Sequence, residues 1–200
     1  MLREACADAV RWKQPYQVGV NVAAQQLGDI RFPEKVADIL RETGLPAERL
    51  ELEFTESGII ENVHRADETF ARLKALGVRI AMDDFGTGYS SLATLQQFPF
   101  NKIKVDRSFV SGLPQDTLSA AIIRSTVIIG KSLGLKVLAE GVETEEQLEF
   151  LRLEGCPSAQ GYYFGKPKPR SEIDAIVNED GVFGKPELQS TPEPAQDQAS

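Results

Sequence analysis

Arg79-Ile80-Ala81-Met82-Asp83-Asp84-Phe85-Gly86-Thr87-Gly88-Tyr89-Ser90-Ser91-Leu92 joins a short apolar run to two adjacent carboxylates and a glycine-rich loop. Ile80 and Met82 alternate with Ala81 and Asp83, so the run predicts a short strand with its carboxylates at the C-terminal end. Adjacent side chains on a strand point to opposite faces, so Asp83 and Asp84 cannot share one role on one face. A bend begun at Phe85-Gly86 would bring the second carboxylate round. Two neighbouring carboxylates repel each other unless a cation lies between them, and hard divalent ions favour oxygen ligands. For the dipeptide taken alone, a solvated turn is the plainer explanation. The rest of the chain argues otherwise.

Strand and helix patterns alternate on both sides of this stretch. Before it come an apolar helical stripe over 2–13, a strand over 17–23 with Asn21 near its end, and a helix over 33–43 closed by Gly44. A cleanly alternating strand covers 50–55, with Leu52 and Phe54 on one side and Glu51, Glu53 and Thr55 on the other. A helix over 64–76 then leads into the central strand. After it come a short helix over 91–97, an alternating strand Lys102-Ile103-Lys104-Val105-Asp106, and a long helix over 116–133 ended by Gly134. A strand over 136–140 precedes a helix over 145–154, where Thr144 and Gln147 have capping-box spacing. A strand over 158–164 and a helix over 171–177 complete the pattern. From 178 to 200 the chain is rich in Pro, Glu, Gln, Ser and Asp without periodicity, the composition of a disordered tail.

The alternation gives six β/α units, as parallel α/β folds require. A closed barrel of this type takes eight strands and about 250 residues. The expected fold is therefore an incomplete TIM-like (β/α) barrel, with 1–177 as one domain. Asn21, Glu53, Asp83, Asp84, Lys104, Asp106, Glu140 and Gln160 lie near strand ends, and every strand contributes. A doubly wound sheet does not demand ionic residues at nearly every strand end, whereas a barrel gathers them at its C-terminal mouth.

The chain carries a formal net charge of -8, which argues against binding a nucleic-acid polymer or an acidic membrane surface. No apolar run is long enough to span a bilayer, and no signal peptide is evident. Two cysteines, Cys6 and Cys156, fit a reducing cytoplasm. Cys156 reads as a buried small residue, and the single histidine, His64, as a surface one. An oxygen-rich set without Cys or His suits magnesium or manganese rather than zinc.

These stretches resemble the EAL domain, the bacterial cyclic di-GMP phosphodiesterase. The resemblance rests on Val20-Asn21-Val22-Ala23, Glu51-Leu52-Glu53-Phe54-Thr55-Glu56-Ser57, Asp83 through Leu92, Lys104-Val105-Asp106-Arg107-Ser108-Phe109-Val110, Ala139-Glu140-Gly141-Val142-Glu143-Thr144 and Gln160-Gly161-Tyr162. It implies a TIM-like barrel, two Mg²⁺ or Mn²⁺ ions, and hydrolysis of cyclic di-GMP to linear pGpG in bacterial signalling. It implies metal ligation by Asn21, Glu53, Asp83 and Asp84, with Asp83 as the bridge. Lys104 matches the lysine beside the attacking water, and Glu140 the glutamate that acts as general base or orients that water. Glu56 and Glu143 match supports of the active-site loop, and Asp106 belongs to the same group of supporting positions. Gln160 matches a residue at the metal and substrate end. The resemblance also implies a homodimer through the 85–92 region.

The family's namesake Glu-Ala-Leu tripeptide is absent from the chain. The resemblance places it upstream of Met1, so the chain reads as an N-terminally truncated domain with impaired activity. Other readings are a non-catalytic cyclic di-GMP receptor or regulatory module, and a fragment without function because its barrel cannot close. The retained Glu53, Asp83, Asp84, Lys104 and Glu140 favour an enzyme.

Overall fold

Alternation of apolar and polar side chains becomes the division between two faces of a parallel sheet. The structure is a computed structural model that describes residues 1–87 and 92–178. The loop positions 88–91 and the tail from 179 lie outside the described residues.

Helix α1 (Leu2–Ala9) precedes strand β1 (Val18–Val22), which is followed by α2 (Ala24–Leu27) and α3 (Phe32–Thr43). Strand β2 (Leu50–Thr55) leads into α4 (Glu56–Glu61) and α5 (Val63–Ala75). Strand β3 (Arg79–Phe85), α6 (Leu92–Gln97) and β4 (Lys102–Val105) come next, then α7 (Arg107–Ser111) and α8 (Thr117–Leu133). The last elements are β5 (Lys136–Ala139), α9 (Glu145–Leu153), β6 (Ser158–Ala159) and α10 (Arg170–Asn178). The six strands form one parallel sheet in the order of the sequence, so neighbouring strands are joined through helices.

Leu52, Phe54, Ile80, Met82 and Ile103 are buried between the sheet and its helices. The Phe54 ring meets Phe70 of α5 edge to face at 5.0 Å, and Phe70 meets Phe98 at 5.3 Å. The opposite face of the same strands is ionic. Lys102 Nζ lies 2.5 Å from Glu51 Oε1, and two residues further along both strands Lys104 Nζ lies 2.5 Å from Glu53 Oε2. Buried charges persist only when paired, and here the pairs stack as two layers.

The helix boundaries follow their capping residues. Gly44 and Gly134 close α3 and α8 in the left-handed conformation. Thr144 and Gln147 form the expected capping box at the start of α9. Short helices α2, α4 and α7 follow strands directly and escape a reading by periodicity, because none completes two turns.

The strand expected over 158–164 is only Ser158–Ala159. The backbone of Gln160 and Gly161 instead turns against the β5–α9 connection. Val142 N–H donates to the Gln160 carbonyl at 3.0 Å, and Tyr163 N–H to the Val142 carbonyl at 2.9 Å. His64 is exposed and Cys156 is buried, as expected.

Candidate active site

The C-terminal ends of β1 to β6 bring most of the candidate residues to one rim. Lys104, on β4, is buried, and its ammonium meets carboxylates from three other places in the chain. Nζ lies 2.5 Å from Glu53 Oε2, 3.0 Å from Asp83 Oδ1 and 2.8 Å from Glu140 Oε1. Burial works against a charged lysine, but the bonds from Glu140 and Glu53 outweigh it, so Lys104 holds its proton more tightly than usual. Gln160 Nε2 donates to the same Glu140 Oε1 at 2.6 Å. With its amide nitrogen turned toward the cluster, Asn21 donates to Glu53 Oε2 and Asp83 Oδ2, each at 3.2 Å.

Asp83 and Asp84 reach the same site through a break in the strand. Met82 pairs with Ile103 and Phe85 with Val105, so two residues of β3 lie opposite Lys104 alone. This is a β-bulge, which re-aims the side chains around it. Asp84 itself takes φ 55°, a left-handed conformation that aspartate tolerates better than most residues. The turn expected at Phe85-Gly86 thus begins one residue earlier. One carboxylate oxygen each from Asp83, Asp84 and Glu140 come within 4.8 Å of one another.

This donor set fits a hard divalent ion. Oxygens held about 2.1 Å from an ion lie up to about 4.2 Å apart across it, so small side-chain movements would close the cluster. Asn21 faces the second Asp83 oxygen, Oδ2, and its carbonyl would face an ion there after rotation of the amide. Along this rim runs a cleft of about 480 Å³, lined by Asn21, Glu53, Thr55, Asp83 and Asp84 among others.

The remaining sequence candidates stand apart from Lys104. Asp106 caps α7 by accepting from Ser108 N–H at 3.0 Å. Burial raises the Asp106 pKa, but the hydrogen bonds from Ser108 and Arg107 lower it further than burial lifts it. Glu143 lines a second cleft of about 250 Å³ with Arg107, Ser108 and Ser111. Glu56 is buried in the first turn of α4. The Glu51–Lys102 pair, which no motif signals, lies beneath the site on the strand face of Glu53 and Lys104. Gly19 on β1 has no side chain and so leaves room for the Glu53 carboxylate.

Burial lifts the Asp84 pKa above its ordinary value, and the charges of Asp83 and Asp106 lift it further against the pull of Lys104. A raised folded-state pKa means that the folded chain binds the proton more tightly than the unfolded chain. Stability from this group is therefore lost as pH rises through the carboxylate range. Asp84→Asn removes the charge and keeps a residue at ease with positive φ. In chelator at neutral pH it should raise the melting temperature by about 2 °C or more. The gain should shrink as the pH falls and the wild-type carboxyl takes up its own proton. A lower melting temperature for the variant at neutral pH would contradict this account.

The EAL domain family model matches residues 1–167. An uncharacterized signaling protein of Caulobacter vibrioides is 52% identical over 177 residues, 88% of this chain and 22% of that protein. The chain spans about a fifth of the length of the first curated relatives it matches. The structure of the MucR phosphodiesterase of Pseudomonas aeruginosa in complex with cyclic di-GMP superposes with a TM-score of 0.82. It is 39% identical, and the match covers 86% of this chain and 71% of that one. A manganese and cyclic di-GMP complex of Klebsiella pneumoniae BlrP1 gives a TM-score of 0.78 at 32% identity, over 82% of this chain and 42% of that one. Among the described residues no helix is long and apolar enough to cross a membrane.

Proposed function

The chain belongs to the EAL domain family, and we propose from the geometry of its site that it hydrolyses one phosphodiester bond of cyclic di-GMP to give linear pGpG. The observation that carries this reading is the position of Asp83. One of its oxygens faces Lys104 and the other faces Asn21, while Asp84 and Glu140 each offer an oxygen within 4.8 Å of an Asp83 oxygen. Asn21, Glu53, Asp83 and Asp84 would hold two Mg²⁺ or Mn²⁺ ions. Such ions, when bound, ease deprotonation of water and offset charge on the phosphoryl oxygens.

The chain's own residues supply the rest. Glu140 takes the proton of the attacking water, a role that suits a carboxylate with a raised pKa. Burial raises the Glu140 pKa, Lys104 opposes this, and the charges of Asp83 and Glu53 reinforce it, leaving it above the ordinary value. Gln160 fixes the Glu140 carboxylate by its hydrogen bond. Lys104 presents a fixed positive charge to the phosphoryl oxygens as they gain charge. Glu56, Asp106 and Glu143 support the loops around this rim. The chain would work in the cytoplasm as a homodimer formed through the 85–92 region.

The test is release of pGpG from cyclic di-GMP in Mg²⁺ or Mn²⁺, followed by chromatography beside a binding titration. The chain lacks the Glu-Ala-Leu tripeptide, so slow release is expected from it alone. Faster release is expected when a segment carrying that tripeptide is fused ahead of Met1. Tight binding of cyclic di-GMP without pGpG from either form would replace the enzyme reading with that of a receptor.

A further inference from the structure

The Lys104 ammonium sits among carboxylates that would also serve a divalent ion: it shares Asp83 and Glu140 with the acidic cluster. It bonds Glu53 and Asp83, both proposed ligands, and also Glu140. Three carboxylates from β2, β3 and the end of β5 would repel one another without a cation among them. An ion bonded to Glu53 and Asp83 would in turn press its charge against an unmoved Lys104. Both cations cannot keep the same oxygens. Glu140 is the partner best placed to retain the lysine, because Gln160 anchors it independently.

We propose that Lys104 is the site's resident cation: it holds the carboxylates together when no divalent ion is bound, and it yields Glu53 and Asp83, pivoting on Glu140, when one enters. The inference rests on the reading of this rim as a metal centre. Lys104 therefore competes with the metal while serving the chemistry. Metal affinity is set below what the carboxylates alone would give, and metal-free chain keeps a formed site.

The experiment measures Mn²⁺ binding by calorimetry and melting temperature with and without Mn²⁺. It compares wild type, Lys104→Met and Lys102→Met, the last removing an equal charge one layer below. Lys104→Met should melt lower in chelator, bind Mn²⁺ about tenfold tighter or more, and gain more from saturating Mn²⁺ than wild type does. Unchanged or weaker Mn²⁺ binding by Lys104→Met would overturn the proposal while leaving the metal centre standing. So would an equal gain in Lys102→Met, because a general loss of positive charge would then suffice. Absence of Mn²⁺ binding in wild type and variants alike would remove the metal reading and the proposal together. If Lys104→Met does not fold, a wild-type structure with Mn²⁺ decides. Lys104 still hydrogen-bonded to both Glu53 and Asp83 beside the ion would overturn the proposal, and Lys104 bonded to Glu140 alone would bear it out.

Discussion

Lys104→Met lowers the rate of cyclic di-GMP hydrolysis about 100- to 1,000-fold while cyclic di-GMP affinity changes less than about threefold, if the site works as proposed. The reason lies in the ground state. With metal bound Lys104 is still paired with Glu140, so it adds little to the binding of a phosphodiester. Its charge counts when the phosphoryl oxygens become more negative, which happens only on the way to the transition state. Methionine keeps the length of the side chain and loses the charge. The measurements are kcat for pGpG release and the dissociation constant for cyclic di-GMP, at saturating Mn²⁺. A loss of affinity as large as the loss of rate would show that Lys104 binds substrate rather than the transition state. Combined with tighter Mn²⁺ binding, the expected result is a variant better loaded with metal and much poorer at catalysis.

Gly161→Ala unfolds the C-terminal side of the site, at a cost of about 3 kcal/mol or more, which lowers the melting temperature by about 6–12 °C. A Cβ at Gly161 would overlap the backbone nitrogen and oxygen of Val142. Neither atom can move aside cheaply, because Val142 N–H and its carbonyl hold the Gln160 carbonyl and Tyr163 N–H. The same turn places Gln160 against Glu140, so the damage extends to the proposed base. Gly134→Ala is the control. Gly134 has φ 69°, with nothing within 4 Å of an added Cβ. Its cost is the backbone term alone, about 1–2 kcal/mol. Equal melting temperatures for the two variants would mean that the close approach at Val142 relaxes freely.

Much of the site was legible in the chain. Period-two alternation placed Glu51 with Glu53 and Lys102 with Lys104 on one face, and Phe54 and Ile103 on the other. Capping signals at Gly44, Gly134 and Thr144 located helix ends, because these obey local hydrogen-bonding rules. The last strand is shorter than its sequence predicts. Tyr162-Tyr163-Phe164 has strand propensity, but the close approach of Gly161 to Val142, a contact between distant parts of the chain, turns it away.

The longer helices, the first five strands, their ionic face and the oxygen-rich chemistry of their ends follow from residues close along the chain. Which charges meet depends on strand alignment. Glu53 and Lys104 are 51 residues apart, and their contact depends on how β2, β3 and β4 align. That alignment follows from packing on both faces of a parallel sheet, where a one-residue slip would exchange core and ionic side chains. The bulge that turns both Asp83 and Asp84 toward one rim is likewise invisible in the Asp-Asp pair. It exists because β3 carries one more residue than β4 between their paired positions, a mismatch that arises only when the strands lie side by side.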